Sequence, residues 1–345
     1  MKGYVSWQLR GAERGRLFCA TSCFPPGQGQ AWTMVPQAYC QTKETRDCFF
    51  LVRNRKFRLC GRMKTFLCLL LFVLTLAIQT LYTFAANPGI VDDVALKAQF
   101  ERNLSALYDT KKATPLRTLN EQLSRPKART QLPRAKGIKL SPAKFYESCR
   151  PSVLMIGRLY KCGKCTKWHV NSASGFAITE SGIVATNHHV IENNEGATFG
   201  AMDYKGNTYL VSEVLAASKA DDVAIIQLKD AKLKPLPLAA KAPVGTSVNV
   251  ISHPDGRFFT MTKGDVSRYF VSRTKTGKGA QRMAITADYA KGSSGAPVLD
   301  DTGAVVGMVS ATNSIYYNQV KGHKENLQMV IKSCIPVDAI WKLLR

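Results

Sequence analysis

A serine flanked by small residues in a tight turn is one way for a strand scaffold to present a nucleophile. This sequence holds one at Lys291-Gly292-Ser293-Ser294-Gly295-Ala296-Pro297-Val298. Glycines on both sides let the backbone bend sharply and let a substrate approach. A hydroxyl is a weak nucleophile at neutral pH, so Ser294 needs a base within hydrogen-bond reach, and the base needs an orienting group. Five histidines are available: His169, His188, His189, His253 and His323. His189 stands out because it closes Ala185-Thr186-Asn187-His188-His189 just after an apolar run, where a rigid element can hold an imidazole. Asp222, at the head of the apolar run 223–226, is the acid candidate. A half-buried carboxylate there would face the imidazole Nδ1–H, fix its tautomer and stabilise the imidazolium. The chemistry these three residue types offer together is acyl transfer through a serine ester.

The elements that must position them are strands. From residue 146 onward, short β-rich runs recur between Gly, Asn, Asp and Pro turns, at 153–156, 175–178, 183–185, 209–211, 223–226, 248–251, 283–285, 297–299 and 305–309. A helix pattern returns only at 336–344, where Pro336 can open a helix whose apolar positions share a face. Many short strands with one terminal helix predict an all-β fold built of barrels.

At this point the sequence resembles the bacterial trypsin-like serine peptidases, closest to the HtrA/Deg branch without PDZ domains. The resemblance rests on Gly175-Phe176-Ala177-Ile178, Thr186-Asn187-His188-His189-Val190, Asp222-Val223-Ala224 and Gly292-Ser293-Ser294-Gly295-Ala296-Pro297, in that order. It covers residues 150–345 and selects His189 over His188 and Asp222 over Asp221. It implies two six-stranded antiparallel barrels, one over 146–240 and one over 241–345. The cleft between them would take His189 and Asp222 from the first and Ser294 from the second. It further implies an oxyanion site at the backbone N–H groups of Gly292 and Ser294, protein or peptide substrates, and no cofactor. Asp288, six residues before Ser294, stands at the offset where trypsins carry the acid of the specificity pocket; it is either that acid or a structural loop carboxylate. Ser310, Ala311 and Thr312 are expected to line the substrate strand. Ser293 stands where digestive trypsins carry the Asp that receives a freed amino terminus, so that activation route is not expected. Ala296 departs from the glycine common in the family. The competing readings are a catalytically silent binding module on the same fold and a basic surface protein that binds an anionic polymer.

The rest of the chain bears on location. At 345 residues it can hold two average domains, or one of about 200 residues plus extensions. The formal charge of +24 suits an anionic neighbour such as a membrane surface, nucleic acid or an acidic polymer, or simply a solvated basic surface; nothing in it specifies a nucleic acid. Residues 1–62 carry no periodic pattern and are read as unassigned, an over-extended gene start. Residues 63–86 have a basic start, an apolar centre and small residues at the end, the pattern of a secretory signal peptide or a signal anchor, and so of a periplasmic or secreted protein. The basic stretch 87–145 reads as a linker with one short helix, able to touch an anionic surface. Six of the ten cysteines lie at or before residue 68; the other four are Cys149, Cys162, Cys165 and Cys334. In an exported protein these four are expected to form disulfides, with Cys162–Cys165 and Cys149–Cys334 one of three possible pairings. Zinc at Cys162 and Cys165 is the alternative, and it would need two further ligands from among Cys149, Cys334 and His169.

Overall fold

The computed structural model describes residues 90–345, apart from residues 136, 194, 274–278, 321 and 345. The expected signal segment at 63–86 and the stretch 1–62 lie outside the described residues. Among the described residues, no helix is long and apolar enough to cross a membrane.

Among the described residues, twelve strands close into two six-stranded antiparallel barrels. The first comprises β1 (Val153–Lys161), β2 (Trp168–Ala177), β3 (Ile183–Thr186), β4 (Thr198–Met202), β5 (Thr208–Ser218) and β6 (Val223–Leu228), in the order β1-β2-β3-β6-β5-β4. The second comprises β7 (Ser247–Ser252), β8 (Thr260–Arg273), β9 (Gly279–Ile285), β10 (Pro297–Asp300), β11 (Val305–Val320) and β12 (His323–Pro336), in the order β10-β11-β12-β9-β8-β7. Closure pairs the strands around each barrel wall, while the outer parts of β11 and β12 run on beyond it as a two-stranded hairpin. The expected all-β, two-barrel fold with a terminal helix is what the chain adopts. Each barrel has its own apolar interior, the first around Leu154, Val184 and Ile226, the second around Val250, Met283 and Val298. A third cluster, including Phe176, Ile251 and Met308, draws side chains from both barrels and fixes one against the other. The C-terminal helix Val337–Leu344 follows Pro336, as expected, and buries Ile340, Leu343 and Leu344 in that shared cluster.

The stretch read as a linker is instead part of the folded body. Helix α1 (Asp93–Asp109) is capped by Asp92, whose Oδ1 accepts the Ala95 N–H at 2.9 Å. Its Phe100 and Leu104 are fully buried against β1, β2 and β4. Gly157 and Gly200 make room for them. A Cβ built at Gly157 would stand 2.5 Å from Phe100, and one at Gly200 would stand 2.3 Å from Leu104. Helix α2 (Leu116–Glu121) buries Leu116 and Leu119 in the first barrel's core. The chain after it is hydrogen-bonded in place, with Ala217 N–H donating to Arg125 O and Ala128 N–H to Leu343 O, both at 2.8 Å. Helix α3 (Pro142–Cys149) then leads into β1. The cationic residues of this stretch stay outside while its few apolar ones go in, so its charge masked its packing.

Candidate active site

His189 and Asp222 are positioned by neighbouring strands of the first barrel. Strand β3 pairs with β6, placing the turn after Thr186 beside the residue that precedes Val223. His188 and His189 sit in a one-turn helix, α4 (His188–Ile191), directly after β3. Asn187 reaches across to donate from Nδ2 to the Asp222 carbonyl at 3.0 Å. His189 Nδ1 lies 2.9 Å from Asp222 Oδ1 and 3.0 Å from Oδ2, and the His189 backbone N–H donates to Oδ1 at 3.1 Å. Ser310 at the end of the apolar part of β11 donates its hydroxyl to Asp222 Oδ2 at 2.8 Å. Burial works to raise the Asp222 pKa, but the His189 hydrogen bonds and charge, with Ser310, overcome it and hold the carboxyl below its ordinary value. Asp222 has a left-handed backbone, φ 62°, unusual for a non-glycine residue and held here by this web of bonds.

His188 points elsewhere. It is buried and lies 3.5 Å from Glu192 through Nδ1. Burial lowers its pKa against the opposing pull of Glu192. The His189 side chain, by contrast, is about half exposed, at 49%.

Ser294 comes from the second barrel, on the turn before β10, and faces the same cleft as His189. The cleft holds about 210 Å³ and is lined also by Arg158, Asn171, Lys291 and Gly292. The turn's carbonyls are engaged from behind. Lys291 O accepts the Asp255 N–H, Gly292 O accepts the Ser174 hydroxyl at 3.0 Å, and Ser294 O accepts the Ser174 N–H at 2.8 Å. Among the described residues, the N–H groups of Gly292 and Ser294 meet no acceptor, which leaves both donors free. Gly292 takes φ 93°, and a Cβ there would stand 2.5 Å from His253 O. Gly295 takes φ 86°, and a Cβ there would stand 2.1 Å from Ser174 O. Backbone strain and this clash together predict that Gly295→Ala destabilises the protein by about 2–3 kcal/mol and displaces Ser294. Urea denaturation measures the first effect and loss of active-site labelling the second.

The remaining expected site residues are placed differently. Asp288 does not reach the cleft. Its carboxylate is exposed, pairs with Lys332 Nζ at 3.1 Å and lines a separate groove beside Ser267, Thr286 and Val330. Alternation explains this: Ala287 and Tyr289 turn inward, so Asp288 between them turns out. Tyr289 is the residue missed from sequence. Its hydroxyl lies 2.9 Å from Ala311 O and 2.8 Å from Ser333 O, tying it to paired residues of β11 and β12 beside the irregularity at Ser310. Ser310 is also more than a lining residue, since its hydroxyl serves Asp222 and its carbonyl accepts Ser294 Oγ at 3.2 Å. Ala311 and Thr312 are exposed on β11 beyond it. Position 289 gave no cue because a tyrosine hydroxyl finds its acceptors only after the barrel closes.

The expected disulfides are not formed, and all four described cysteines are free thiols. Cys149 lies in the cluster between the barrels and Cys334 inside the second, so they pack in different places. Burial pushes the Cys149 thiol up to about 11 and the Cys334 thiol up to about 12. Cys162 and Cys165 are exposed, with their sulfurs 3.5 Å apart. Hydrogen bonds from the Lys164 backbone and from Cys165 bring Cys162 down to about 7.

His253, behind the Ser294 turn, is fully buried between Phe258 and Phe259 and accepts the Phe259 N–H at Nδ1. Burial drives its pKa from 6.5 to about 4. The unfolded chain therefore takes up a proton that the folded chain refuses. The associated stability is fully present above pH 6.5 and is lost as pH falls towards about 4. The expected loss is up to about 3 kcal/mol, at about 1.4 kcal/mol per pH unit. Denaturant titrations across that window should show it, and His253→Gln should flatten the slope, leaving the smaller His188 contribution of the same sign.

Comparison with known proteins follows the same lines. Residues 173–308 match the family described as the trypsin-like peptidase domain. The chain is 34% identical over 151 residues to "Protease Do-like 1, chloroplastic" of Arabidopsis thaliana, covering 41% of this chain and 34% of that protein. It is 32% identical over 148 residues to the "Probable periplasmic serine endoprotease DegP-like" of Brucella suis, covering 41% of this chain and 28% of that protein. The match thus spans about a third of these curated relatives. A crystal structure of an M. tuberculosis protease in its active form aligns at a TM-score of 0.45 and 23% identity, over 64% of this chain and 91% of that one.

Proposed function

We propose that this chain is a serine endopeptidase working through His189, Asp222 and Ser294, since residues 173–308 match the trypsin-like peptidase domain and DegP-like and Do-like proteins are similar to it. The observation that carries the reading is the His189–Asp222 pair at 2.9 Å sharing a cleft with Ser294, beside two free backbone N–H groups. Ser294 Oγ attacks the scissile carbonyl while His189 Nε2 takes its proton. Asp222 holds Nδ1–H and stabilises the imidazolium. The carbonyl oxygen, as it gains charge, is met by the Gly292 and Ser294 N–H groups; losing one such donor typically costs about 3–4 kcal/mol of transition-state stabilisation. His189 then protonates the leaving amine, and water attacks the ester with the same base assisting. At rest the Ser294 hydroxyl donates to Ser310 O at 3.2 Å, so attack requires it to leave that bond and turn towards His189; catalytic hydrogen bonds often tighten only with substrate bound.

Because Asp288 is held by Lys332 outside the cleft, the reading assigns no preference for Lys or Arg at the cleaved position. Protein or peptide substrates follow from the family. Export is supported by the pattern of residues 63–86 and by the DegP-like relative described as periplasmic.

A fluorophosphonate probe tests the assignment. Wild type should label at Ser294, confirmed by peptide mapping, and Ser294→Ala should not label. Absence of labelling in folded wild type would favour the silent binding module, and equal labelling of the variant would place the nucleophile elsewhere.

A further inference from the structure

The turn closing the β1–β2 hairpin carries a donor set that peptide hydrolysis does not use. Lys161 pairs with Trp168 at the last rung, and Tyr160 pairs with His169 at the one before it. Residues 162–167 therefore form a short turn that folds Cys162 back onto Cys165. Their sulfurs are 3.5 Å apart, and Cys165 Sγ lies 3.1 Å from His169 Nε2. All three donor atoms lie within 4.8 Å of one another. His169 belongs to β2 and its ring rests against Tyr160 at 5.8 Å, so its direction is set by the sheet and not by the turn.

Tetrahedral zinc holds sulfur at about 2.3 Å and imidazole nitrogen at about 2.0–2.1 Å, which places ligand atoms about 3.5–3.8 Å apart. The Cys162–Cys165 and Cys165–His169 separations of 3.5 and 3.1 Å lie within a few tenths of an ångström of these values, and the third pair lies within 4.8 Å. Two thiolates and a neutral imidazole offset the charge of a divalent cation. The cluster offers no carboxylate, so it does not suit the hard, oxygen-seeking cations calcium and magnesium.

We infer that Cys162, Cys165 and His169 form a zinc site, with three protein ligands and a fourth position for water or an external donor. The inference is independent of the peptidase reading. The same hairpin lends Arg158, Asn171, Ser172 and Ala173 to the cleft wall, so a metal at its tip stiffens that wall.

The test uses the full chain carrying Ser294→Ala, which removes self-cleavage as a complication. It is reduced, freed of metal and titrated with Co²⁺ under anaerobic conditions. One equivalent should give the intense visible bands of tetrahedral cobalt and a thiolate-to-cobalt charge-transfer band, both erased by adding Zn²⁺. Cys165→Ser should abolish the charge-transfer signal at one equivalent. His169→Ala should weaken binding at least about 10-fold. Thermal melts of the metal-free forms check that these exposed substitutions leave the fold intact. Only weak octahedral bands in the reduced parent, or binding unchanged in Cys165→Ser or His169→Ala, would overturn the site. So would a Cys162–Cys165 disulfide that, once reduced, still binds no cobalt.

Discussion

If Ser294 is the nucleophile as proposed, replacing it with alanine should lower kcat for peptide hydrolysis by about a millionfold. Removing the nucleophile leaves only substrate binding and the two backbone donors, and serine hydrolases stripped of serine or histidine lose activity on this order. His189→Ala should cost a similar factor, and the double variant little more, because the two residues act as one unit. Independent roles would multiply the losses. The fold should be unaffected. The Ser294 hydroxyl makes one hydrogen bond, to the Ser310 carbonyl, worth about 1 kcal/mol or less. Steady-state kinetics with a cleaved reporter peptide, read beside a denaturant melt, separates lost chemistry from lost structure.

Phe100→Ala should destabilise the chain by about 3–5 kcal/mol, the range for emptying a buried aromatic site. The ring is fully buried and lies over Gly157 and beside Val170, two backbones that cannot close over the gap without bending β1 and β2. If 87–145 were a solvated tether, the same substitution would stay within about 0.5 kcal/mol. Urea unfolding monitored by circular dichroism decides between the two values. Leu104→Ala, one turn along and set over Gly200, should follow the same trend.

What could be read in advance was whatever is local. Ser294, His189 and Asp222 each sit in a run whose residue types suggest the proposed chemistry, and the apolar runs around them announce strands. Contacts that arise only on closure were not legible. Ser310 looked like pocket lining because its partner, Asp222, is 88 residues away in the other barrel. Asp288 looked like a pocket acid because its offset from Ser294 matched, but side-chain alternation turned it outward to Lys332. Helix α1 looked like a tether because its net polarity is high and the sockets for its two buried side chains are glycines on strands, which carry no pattern of their own. Cys149 and Cys334 looked pairable because their number was even, while the barrel walls keep them in separate interiors.

Those two glycine sockets bear on where the autonomous folding unit starts. A fragment cut at Tyr146 would present two hollows floored by bare backbone, an apolar scar across β1, β2 and β4 open to solvent and prone to self-association. A fragment that keeps those hollows filled must include the helix with its Asp92 cap, and Val91, which packs against the same cluster. By the same reasoning, loss of the helix itself opens an apolar face on the first barrel and favours aggregation.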